Sequence, residues 1–154
     1  MPIPPQLIAR KTISYEKLKE NTIMWEENIA LFAGKMSIAI DSTGTKYESG
    51  RITVSDEMIR HLKSAYLRFS IRDFGATDAV VTISVEDMDS GTTLVSISTS
   101  SDTHEGLSAD IVNALKSSKG NKIYIKVEVS TASGTAGATA NIYYLGLKLI
   151  YGVS

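Results

Sequence analysis

Carboxylates are the most concentrated reactive groups in this chain, and they cluster at residues 86–89. The segment Glu86-Asp-Met-Asp89 is followed directly by Ser90 and Gly91. Calcium takes several carboxylate and carbonyl oxygens from one loop, which makes Asp87 and Asp89 candidate calcium ligands. The same residues also suit a hairpin turn, because Asp, Ser and Gly meet the backbone demands of tight turns. The spacing of a known calcium-binding loop is missing, so the turn is the favoured interpretation.

The two histidines, His61 and His104, offer little for acid–base or nucleophilic catalysis. Residues 101–105 contain serine, aspartate, histidine and glutamate side by side, whereas catalytic triads draw their members from separate elements. The sequence has no nucleophile elbow, phosphate-binding loop or metal-ligand spacing. We therefore expect that the protein is not an enzyme and holds no cofactor.

Two tyrosines are candidates for ligand binding. Tyr124 lies between Lys122 and Lys126 on the polar face of its expected strand, and Tyr144 lies on the less apolar face of the last strand. Together they could form an exposed platform on which a sugar ring stacks. Amphipathic tyrosines also occur at sheet surfaces and oligomer interfaces for packing alone, and that alternative is favoured.

Composition excludes several classes of partner. The chain has 16 basic and 17 acidic residues and a net charge of −1, so the basic face expected of a nucleic-acid-binding protein is missing. It has no cysteine, and no apolar run is long enough to span a membrane. Residues 1–6 lack the charged and apolar regions of a signal peptide. We expect synthesis in the cytoplasm without membrane insertion, with a virion or assembled particle as the destination.

Strands position these residues. Residues 122–129 alternate four aliphatic side chains with Lys, Tyr, Lys and Glu, the pattern of a strand with one buried face. In the last strand, Tyr143, Tyr151 and the leucines between them share one face. These two strands are expected to be neighbours across the small-residue loop at residues 130–140.

A short internal repeat predicts two helices, at residues 55–64 and 108–117. The two segments align without gaps, and each shows a serine at the N-cap, an acidic first turn, an apolar stripe and a final lysine. Each is followed by a strand, a loop and a second strand. We expect the helices to cap the ends of a β-structure, with Gly120 stopping the second.

The whole pattern predicts an all-β fold. About eight or nine short strands with two helical turns fit an antiparallel two-sheet β-sandwich, with a jelly roll as the preferred topology. Residues 1–34 are expected to form an extended arm and an ambiguous segment, and residues 35–154 the sandwich domain. Within residues 12–34, helical and strand patterns overlap, and strands are favoured because β-branched and aromatic residues cluster there.

This strand pattern, ending in the strand at residues 142–151, resembles that of two groups of β-sandwich proteins. One group is the galactose-binding and carbohydrate-binding modules. The other is the single jelly-roll proteins of virus capsids, turrets and tail fibres. The resemblance covers residues 35–151 and implies a fold, with no site residue to carry over. The only tryptophan, Trp25, lies outside this range, which favours the second group.

Two hypotheses of function follow. The leading one is a non-enzymatic structural protein that forms homo-oligomers, as a virus- or phage-type capsid, turret or surface component. Its proline-rich arm carries Leu7, Ile8 and Ile13, which would be costly to leave in water, so the arm is expected to dock on a neighbouring copy. The alternative is a carbohydrate-binding or adhesion module whose partner is a surface glycan. Departures from the repeat, at the arm and at residues 98–106 and 130–140, are the expected places of function.

Overall fold

The structure is a computed structural model, and it describes residues 23–75 and 78–153. The described residues form nine β-strands and two short α-helices. The strands are β1 (Ile23–Ala39), β2 (Gly44–Glu48), β3 (Ile52–Thr53), β4 (Leu62–Arg72), β5 (Val80–Asp87), β6 (Thr92–Thr99), β7 (Thr103–Leu107), β8 (Lys122–Thr131) and β9 (Thr139–Val153). Helix α1 (Asp56–Ile59) precedes β4, and helix α2 (Val112–Ser117) precedes β8. No helix among the described residues is long and apolar enough to cross a membrane.

The strands build two antiparallel sheets that pack against each other. Sheet A has the strand order β1-β9-β4-β7, and sheet B has the order β2-β8-β5-β6, with β3 also paired to β8. Every strand pair is antiparallel. The expected all-β, two-sheet antiparallel sandwich with two short helices is therefore confirmed.

An apolar core fills the space between the sheets, because aliphatic and polar residues alternate along the central strands. In β4 the residues Leu67, Phe69 and Ile71 alternate with polar residues and are buried on the inward face. In β8 the four predicted aliphatic residues are buried: Ile123, Ile125, Val127 and Val129. Burial of one such side chain stabilises the fold by about 1.5–3 kcal/mol, so these two strands anchor the sandwich.

Strand β1 includes much of the segment that the sequence leaves ambiguous. A strand was favoured over a helix for residues 12–34, and this is confirmed for residues 23–34, the part that the structure describes. The strand runs without interruption through the polar residues 26–28. It also crosses residues 34 and 35, the expected boundary of the sandwich, so residues 23–34 are part of sheet A.

The first predicted helix, at residues 55–64, is only one turn long. Ser55 is its N-cap as expected, and its Oγ accepts a 3.1 Å hydrogen bond from the N–H of Met58. The chain then leaves the helix, because His61 takes a positive φ of 61° and Leu62 begins β4. The prediction is wrong beyond the first turn, since Leu62 is buried as a strand residue and not as part of a helical stripe.

The second predicted helix, at residues 108–117, begins later than expected. Its N-cap position is Ile111 and its first helical residue is Val112, so Ser108 does not cap it. The Ser108 Oγ instead accepts a 2.9 Å hydrogen bond from the N–H of Leu67 in β4. Ser108 therefore satisfies a backbone N–H of β4 just beyond the end of β7.

Asp110 takes over part of the expected capping. Its Oδ1 accepts 3.0 Å hydrogen bonds from the N–H of Val112 in α2 and from the N–H of Ala65 in β4. Burial raises the pKa of Asp110, but these two backbone hydrogen bonds outweigh it and hold the pKa below its ordinary value. The carboxylate thus joins the start of α2 to the edge of sheet A.

The two strands that follow each helix are not neighbours in one sheet, contrary to the sequence expectation for the second pair. β4 lies in sheet A and β5 in sheet B, while β8 lies in sheet B and β9 in sheet A. Each unit of the repeat is therefore an arch between the sheets, and not a hairpin. The two arches pair with each other, β4 with β9 and β5 with β8, and supply the central strands of both sheets.

Strand β7 lies in a segment that the sequence assigns to a polar loop. The expected loop at residues 98–106 contains the end of β6 and most of β7. Edge strands such as β7 bury little side-chain surface, so they lack the apolar alternation that predicts a strand. Backbone pairing with β4, starting at Leu107 opposite Arg68, holds β7 in place.

Candidate functional site

The two candidate tyrosines lie in different sheets. Tyr124 is on the outer side of β8 in sheet B, and Tyr144 is in β9 of sheet A. Each ring has an arginine over its face: the Arg51 guanidinium is 4.2 Å from the centre of the Tyr124 ring, and that of Arg68 is 5.3 Å from the centre of the Tyr144 ring. The sandwich thus separates the two tyrosines, and they do not form a common platform.

Strand β9 is irregular directly next to Tyr144. Tyr144 pairs with Ser70 of β4, and the next pair is Ile142 with Ile71, so Tyr143 is an extra residue in β9. Such a β-bulge turns side chains away from their regular directions and is often found beside functional sites. Tyr143 was expected on the same face as the core leucines of β9, and the bulge makes that expectation wrong: Tyr143 is only half-buried.

A second bulge lies on the other side of Ser70, in strand β7. The register of β4 with β7 shifts between Phe69 and Ile71, so His104 and Glu105 of β7 both face the single residue Ser70. The central strand β4 is therefore flanked by an extra residue on each side at one level. The two bulges open the outer face of sheet A around Ser70.

A cleft of about 320 Å³ lies at this point. Its lining includes the arginines Arg68 and Arg72, the serine Ser70 and the tyrosines Tyr143 and Tyr144, with His104 and Glu105 at its β7 side. Ligand pockets have volumes of roughly 300 Å³ and more, so the cleft has room for one small molecule.

Positive charge in the cleft is only partly neutralised. The Arg68 side chain is 3.1 Å from the Glu105 Oε1 and donates a 3.2 Å hydrogen bond to the Asn28 Oδ1. Arg72 makes no ion pair within the described residues, and its guanidinium lies 5.2 Å from the centre of the Tyr143 ring. Two guanidinium groups therefore meet one carboxylate, which leaves the lining with a net positive charge.

Two buried hydroxyl groups at the cleft have no hydrogen-bond partner among the described residues. They are the Ser70 Oγ and the Tyr144 Oη. Burial raises the pKa of Tyr144, and the nearby charge of Arg68 offsets this only in part, so the phenol stays protonated at neutral pH. A buried polar atom without a partner costs free energy, so two at one place mark a region whose polar groups are not arranged for stability alone.

The loop after β4 braces the cleft. Asp73 has a positive φ of 55°, which turns the chain out of the sheet directly after Arg72. The Asp73 Oδ2 accepts a 2.8 Å hydrogen bond from the Asn141 Nδ2 and a 3.4 Å hydrogen bond from the Tyr143 Oη. Asp73 therefore fixes the ring that lies under Arg72.

Asp87 and Asp89, the candidate calcium ligands, are engaged in the turn between β5 and β6. The Oδ1 of buried Asp87 accepts 3.0 Å hydrogen bonds from the N–H groups of Asp89 and Ser90, and its Oδ2 accepts a 2.8 Å bond from the Asn121 Nδ2. The Asp89 Oδ2 accepts a 2.7 Å bond from the N–H of Lys122. Among the described residues no three acidic or histidine side chains are placed to hold a metal ion. Calcium binding by Asp87 and Asp89 stays a prediction.

The remaining candidates are dispersed. His61 lies between α1 and β4 and accepts a hydrogen bond at its carbonyl from Gly152, whereas His104 lies in β7 at the cleft. Asp102, which the sequence places beside His104, accepts a 2.8 Å hydrogen bond from the N–H of Phe74 and so fixes a loop. The arm residues Leu7, Ile8 and Ile13 lie outside the described residues.

The sequence does not reveal the cleft, although alternation along β4 places Arg68, Ser70 and Arg72 on the face opposite the core residues. The available signal was the alternation of two arginines with a serine, at positions 68, 70 and 72. The bulges at Tyr143 and at His104 leave no mark in the sequence, because they arise from pairing with other strands.

No protein-family model matches the chain, and no curated protein matches it. Similar solved structures include the VP2 subviral particle of infectious bursal disease virus, with 16% identity and a TM-score of 0.41 over 82% of this chain and 32% of that chain. They also include a mutant VP2 from T=1 particles of the same virus, with 14% identity and a TM-score of 0.42 over 84% of this chain and 32% of that chain. The chain thus spans about a third of the length of these proteins. These similarities do not place the chain in a family.

Proposed function

We propose that this chain is a non-enzymatic structural protein that assembles with copies of itself into homo-oligomers. The observation that carries the proposal is an uncharged edge of sheet B, strand β6, which pairs with β5 alone among the described residues. An open strand edge presents unpaired N–H and C=O groups and so invites pairing with another chain.

Strand β6 lacks most features that protect natural edges. Proteins guard exposed edges with charged residues, proline, bulges or very short strands. β6 has eight residues without a charge, a proline or a glycine, and its only irregularity is a register shift at Leu94. The other edge strands are better guarded, since β1 and β2 carry charged residues and bulges and β7 has only five residues.

Apolar side chains at this edge are left incompletely covered. Val95 and Ile97 face inward opposite Val85 and Ile83, which are fully buried, yet Val95 and Ile97 themselves are only half-buried. A strand added beside β6 would cover both. Adding a strand thus combines backbone hydrogen bonds with burial of apolar surface.

The segment proposed to add to β6 is the N-terminal arm of a neighbouring copy. Residues 1–22 precede β1, and their three prolines favour an extended chain. Leu7, Ile8 and Ile13 supply the apolar side chains that such a strand would bury. In this proposal residues 1–22 are the arm, and the sandwich begins at Ile23.

Light scattering on three proteins tests the proposal. The full chain is expected to be oligomeric, whereas a variant lacking residues 1–20 and the full-length variant Ile97→Lys are expected to be monomeric. Ile97→Thr is the matched control, because it shortens the side chain without adding a charge to the edge, and it should stay oligomeric. Circular dichroism checks that each variant is folded. Monomers in all cases would overturn the proposal, and oligomers of the shortened chain would exclude the arm as the added strand.

The finer assignment, to a capsid, turret or surface component of a virus or phage, rests on topology. Without β3, the two sheets have the strand order of a jelly roll, with eight strands divided equally between them. Jelly rolls occur in virus capsids and in lectins, so the topology suits both hypotheses of function. Electron microscopy of the purified full chain would test this assignment, since closed particles are expected from a capsid component.

The alternative function, a carbohydrate-binding or adhesion module, loses its proposed platform. Tyr124 and Tyr144 lie in different sheets, and an arginine lies over each ring. A sugar could not stack on both at once. Assembly through β6 is therefore the function that we favour.

A further inference from the structure

The cleft around Ser70 is built from three strands and has the character of a binding site. Bulges on both neighbours of β4 meet at Ser70, and they direct Tyr143 on one side and Glu105 on the other toward the same opening. A regular sheet face is flat and has no such opening. The double irregularity therefore creates the space.

The chemistry of the cleft suits an anionic oxygen group. Arg68 and Arg72 lie on either side of Ser70, four residues apart on β4, and both line the cleft. Each guanidinium lies over a tyrosine ring that restrains it. Restrained planar guanidinium groups match the two oxygens of a carboxylate. The lining thus offers two cationic forks on one strand.

The ion pair with Glu105 shows that Arg68 can bind a carboxylate. The Glu105 carboxylate lies 3.1 Å from the Arg68 side chain, yet the Glu105 side chain is 63% exposed, so solvent can replace it readily. An incoming carboxylate would compete with Glu105 for the same guanidinium. Arg72 makes no ion pair within the described residues, so a ligand carboxylate would not have to displace another carboxylate from it.

Polar groups at the base of the cleft indicate a ligand that carries hydroxyl groups as well as an anionic group. The residue Ser70 is 9% exposed, and its Oγ has no hydrogen-bond partner among the described residues. The Tyr144 Oη is also buried and has no hydrogen-bond partner among the described residues. A ligand with several hydroxyl groups that displaces the side chains covering these two atoms would give both a hydrogen-bond partner.

We propose that the cleft lined by Arg68, Arg72 and Ser70 binds a carboxylated sugar, with the carboxylate on the arginines and the sugar hydroxyls toward Ser70 and Tyr144. A single sugar residue fits a cleft of about 320 Å³. The site is independent of the proposed assembly, because β6 is an edge of the other sheet.

Calorimetric titration of the full chain with glucuronate, glucose and inorganic phosphate tests the site. Glucuronate should bind more tightly than either of the others by about tenfold, the effect of one charge-assisted interaction or of the matching hydroxyl contacts. Equal binding of phosphate would overturn the sugar assignment, and equal binding of glucose would overturn the role of the arginines. No heat with glucuronate at millimolar concentration would overturn the site itself.

Three variants are expected to change glucuronate affinity differently: one lowers it, one raises it and one leaves it unchanged. Arg72→Gln should weaken glucuronate binding about tenfold, because it removes one charge-assisted contact. Glu105→Gln should strengthen binding about two- to fivefold, because it removes an exposed internal competitor. Arg51→Gln is the matched control, since Arg51 lies over Tyr124 in the same way on the opposite sheet, and it should leave affinity unchanged. Weaker binding by Glu105→Gln, or an equal loss with Arg51→Gln, would overturn the proposal.

Titrating the Ile97→Lys variant separates the site from assembly. We expect the same glucuronate affinity in this variant as in the full chain. Loss of binding on conversion to monomers would overturn the location of the site within one sandwich.

Discussion

Replacing Asp87 by asparagine should destabilise the sandwich, because this carboxylate joins the β5–β6 turn to the start of β8. Its Oδ1 accepts two backbone hydrogen bonds, from Asp89 and Ser90, and its Oδ2 accepts the Asn121 side chain. Asparagine keeps one oxygen for the two backbone groups. Its amide nitrogen would then face the amide nitrogen of Asn121, donor against donor.

The expected size follows from that single lost contact. A hydrogen bond to a charged group contributes about 1.5–3 kcal/mol, and the site is buried, so we expect Asp87→Asn to lower the free energy of unfolding by about 1.5–3 kcal/mol. For a chain of this size that corresponds to a fall in Tm of roughly 4–10 °C. Asp87→Ala removes all three contacts and should cost about 3–5 kcal/mol.

Urea unfolding followed by tryptophan fluorescence measures these changes. Trp25 is the only tryptophan and stacks on Tyr151 with 5.4 Å between ring centres, so its emission reports on sheet A. Combining Asp87→Asn with Asn121→Asp restores a donor opposite an acceptor and should recover about 1–2 kcal/mol. A loss below about 0.5 kcal/mol for Asp87→Asn, or strict additivity in the double variant, would refute the reasoning.

Acid should remove the same contribution. Burial raises the pKa of Asp87, but the hydrogen bonds from Asn121 and Ser90 outweigh it and leave the pKa far below its ordinary value. Because the folded pKa is depressed, the stabilisation is complete above the unfolded pKa of about 3.9 and is lost as the pH falls through the folded value. The difference between the wild-type chain and Asp87→Asn should therefore be constant from about pH 7 to pH 5 and smaller near pH 2.5. A difference independent of pH would contradict the role of the charge.

Three further substitutions probe packing and capping by the same unfolding assay. Gly146→Ala would press a Cβ against the backbone oxygen of Ile29 and should cost about 1–3 kcal/mol. Gly152→Ala should cost less, because its Cβ would meet the flexible side chain of Lys63 at 3.2 Å and the backbone oxygen of Ile23 at an ordinary contact distance of 3.6 Å. Equal effects would contradict the close approach of the strands at Gly146. Ser55→Ala should cost about 1 kcal/mol, since it removes the N-cap of α1, and no change would show that the cap is not needed. Leu115→Ala should cost about 2–5 kcal/mol, because Leu115 is fully buried and a cavity would remain; a cost below about 1 kcal/mol would mean that α2 does not seal the core.

Alternation predicted the faces of the central strands correctly because burial on one side leaves a direct mark in the sequence. Leu67 and Ile125 are buried, and Arg68 and Lys126 point outward, as a period of two residues requires. The partner of a strand leaves no such mark. The two strands on either side of residues 130–140 look alike in sequence whether they form a hairpin or an arch, and the structure places them in different sheets.

The helices show the limit of local patterns in another way. The serine at the N-cap predicts the start of α1 correctly, because capping is a local interaction. Its end was placed too late, since Leu62 fits a helical stripe and the core face of a strand equally well. In the second segment, Ser108 has the same type and position as Ser55 but bonds to β4, a contact 41 residues distant in sequence.

The candidate site was less predictable than the fold. The cleft depends on bulges in β7 and β9, and bulges are set by pairing among three strands. Asp87 and Asp89 were identified as a turn or a calcium site, and their hydrogen bonds match the turn. A cluster of carboxylates in one segment was easier to find than two arginines that become a site only beside Tyr143.

The pairing of β1 with β9 fixes the order in which this protein can fold during synthesis. The first described strand pairs along its length with the last, from Ile23 opposite Val153 onward. The β5–β6 hairpin of sheet B can close while later residues are still being added. Within the part of the chain that the structure describes, β1 pairs only with β9 and so waits until β9 leaves the ribosome. Pairings so distant in sequence slow folding and leave strand edges open in the meantime. The apolar residues of β1 are therefore exposed longest, and a newly made chain depends on its last fifteen residues of strand to hide its first.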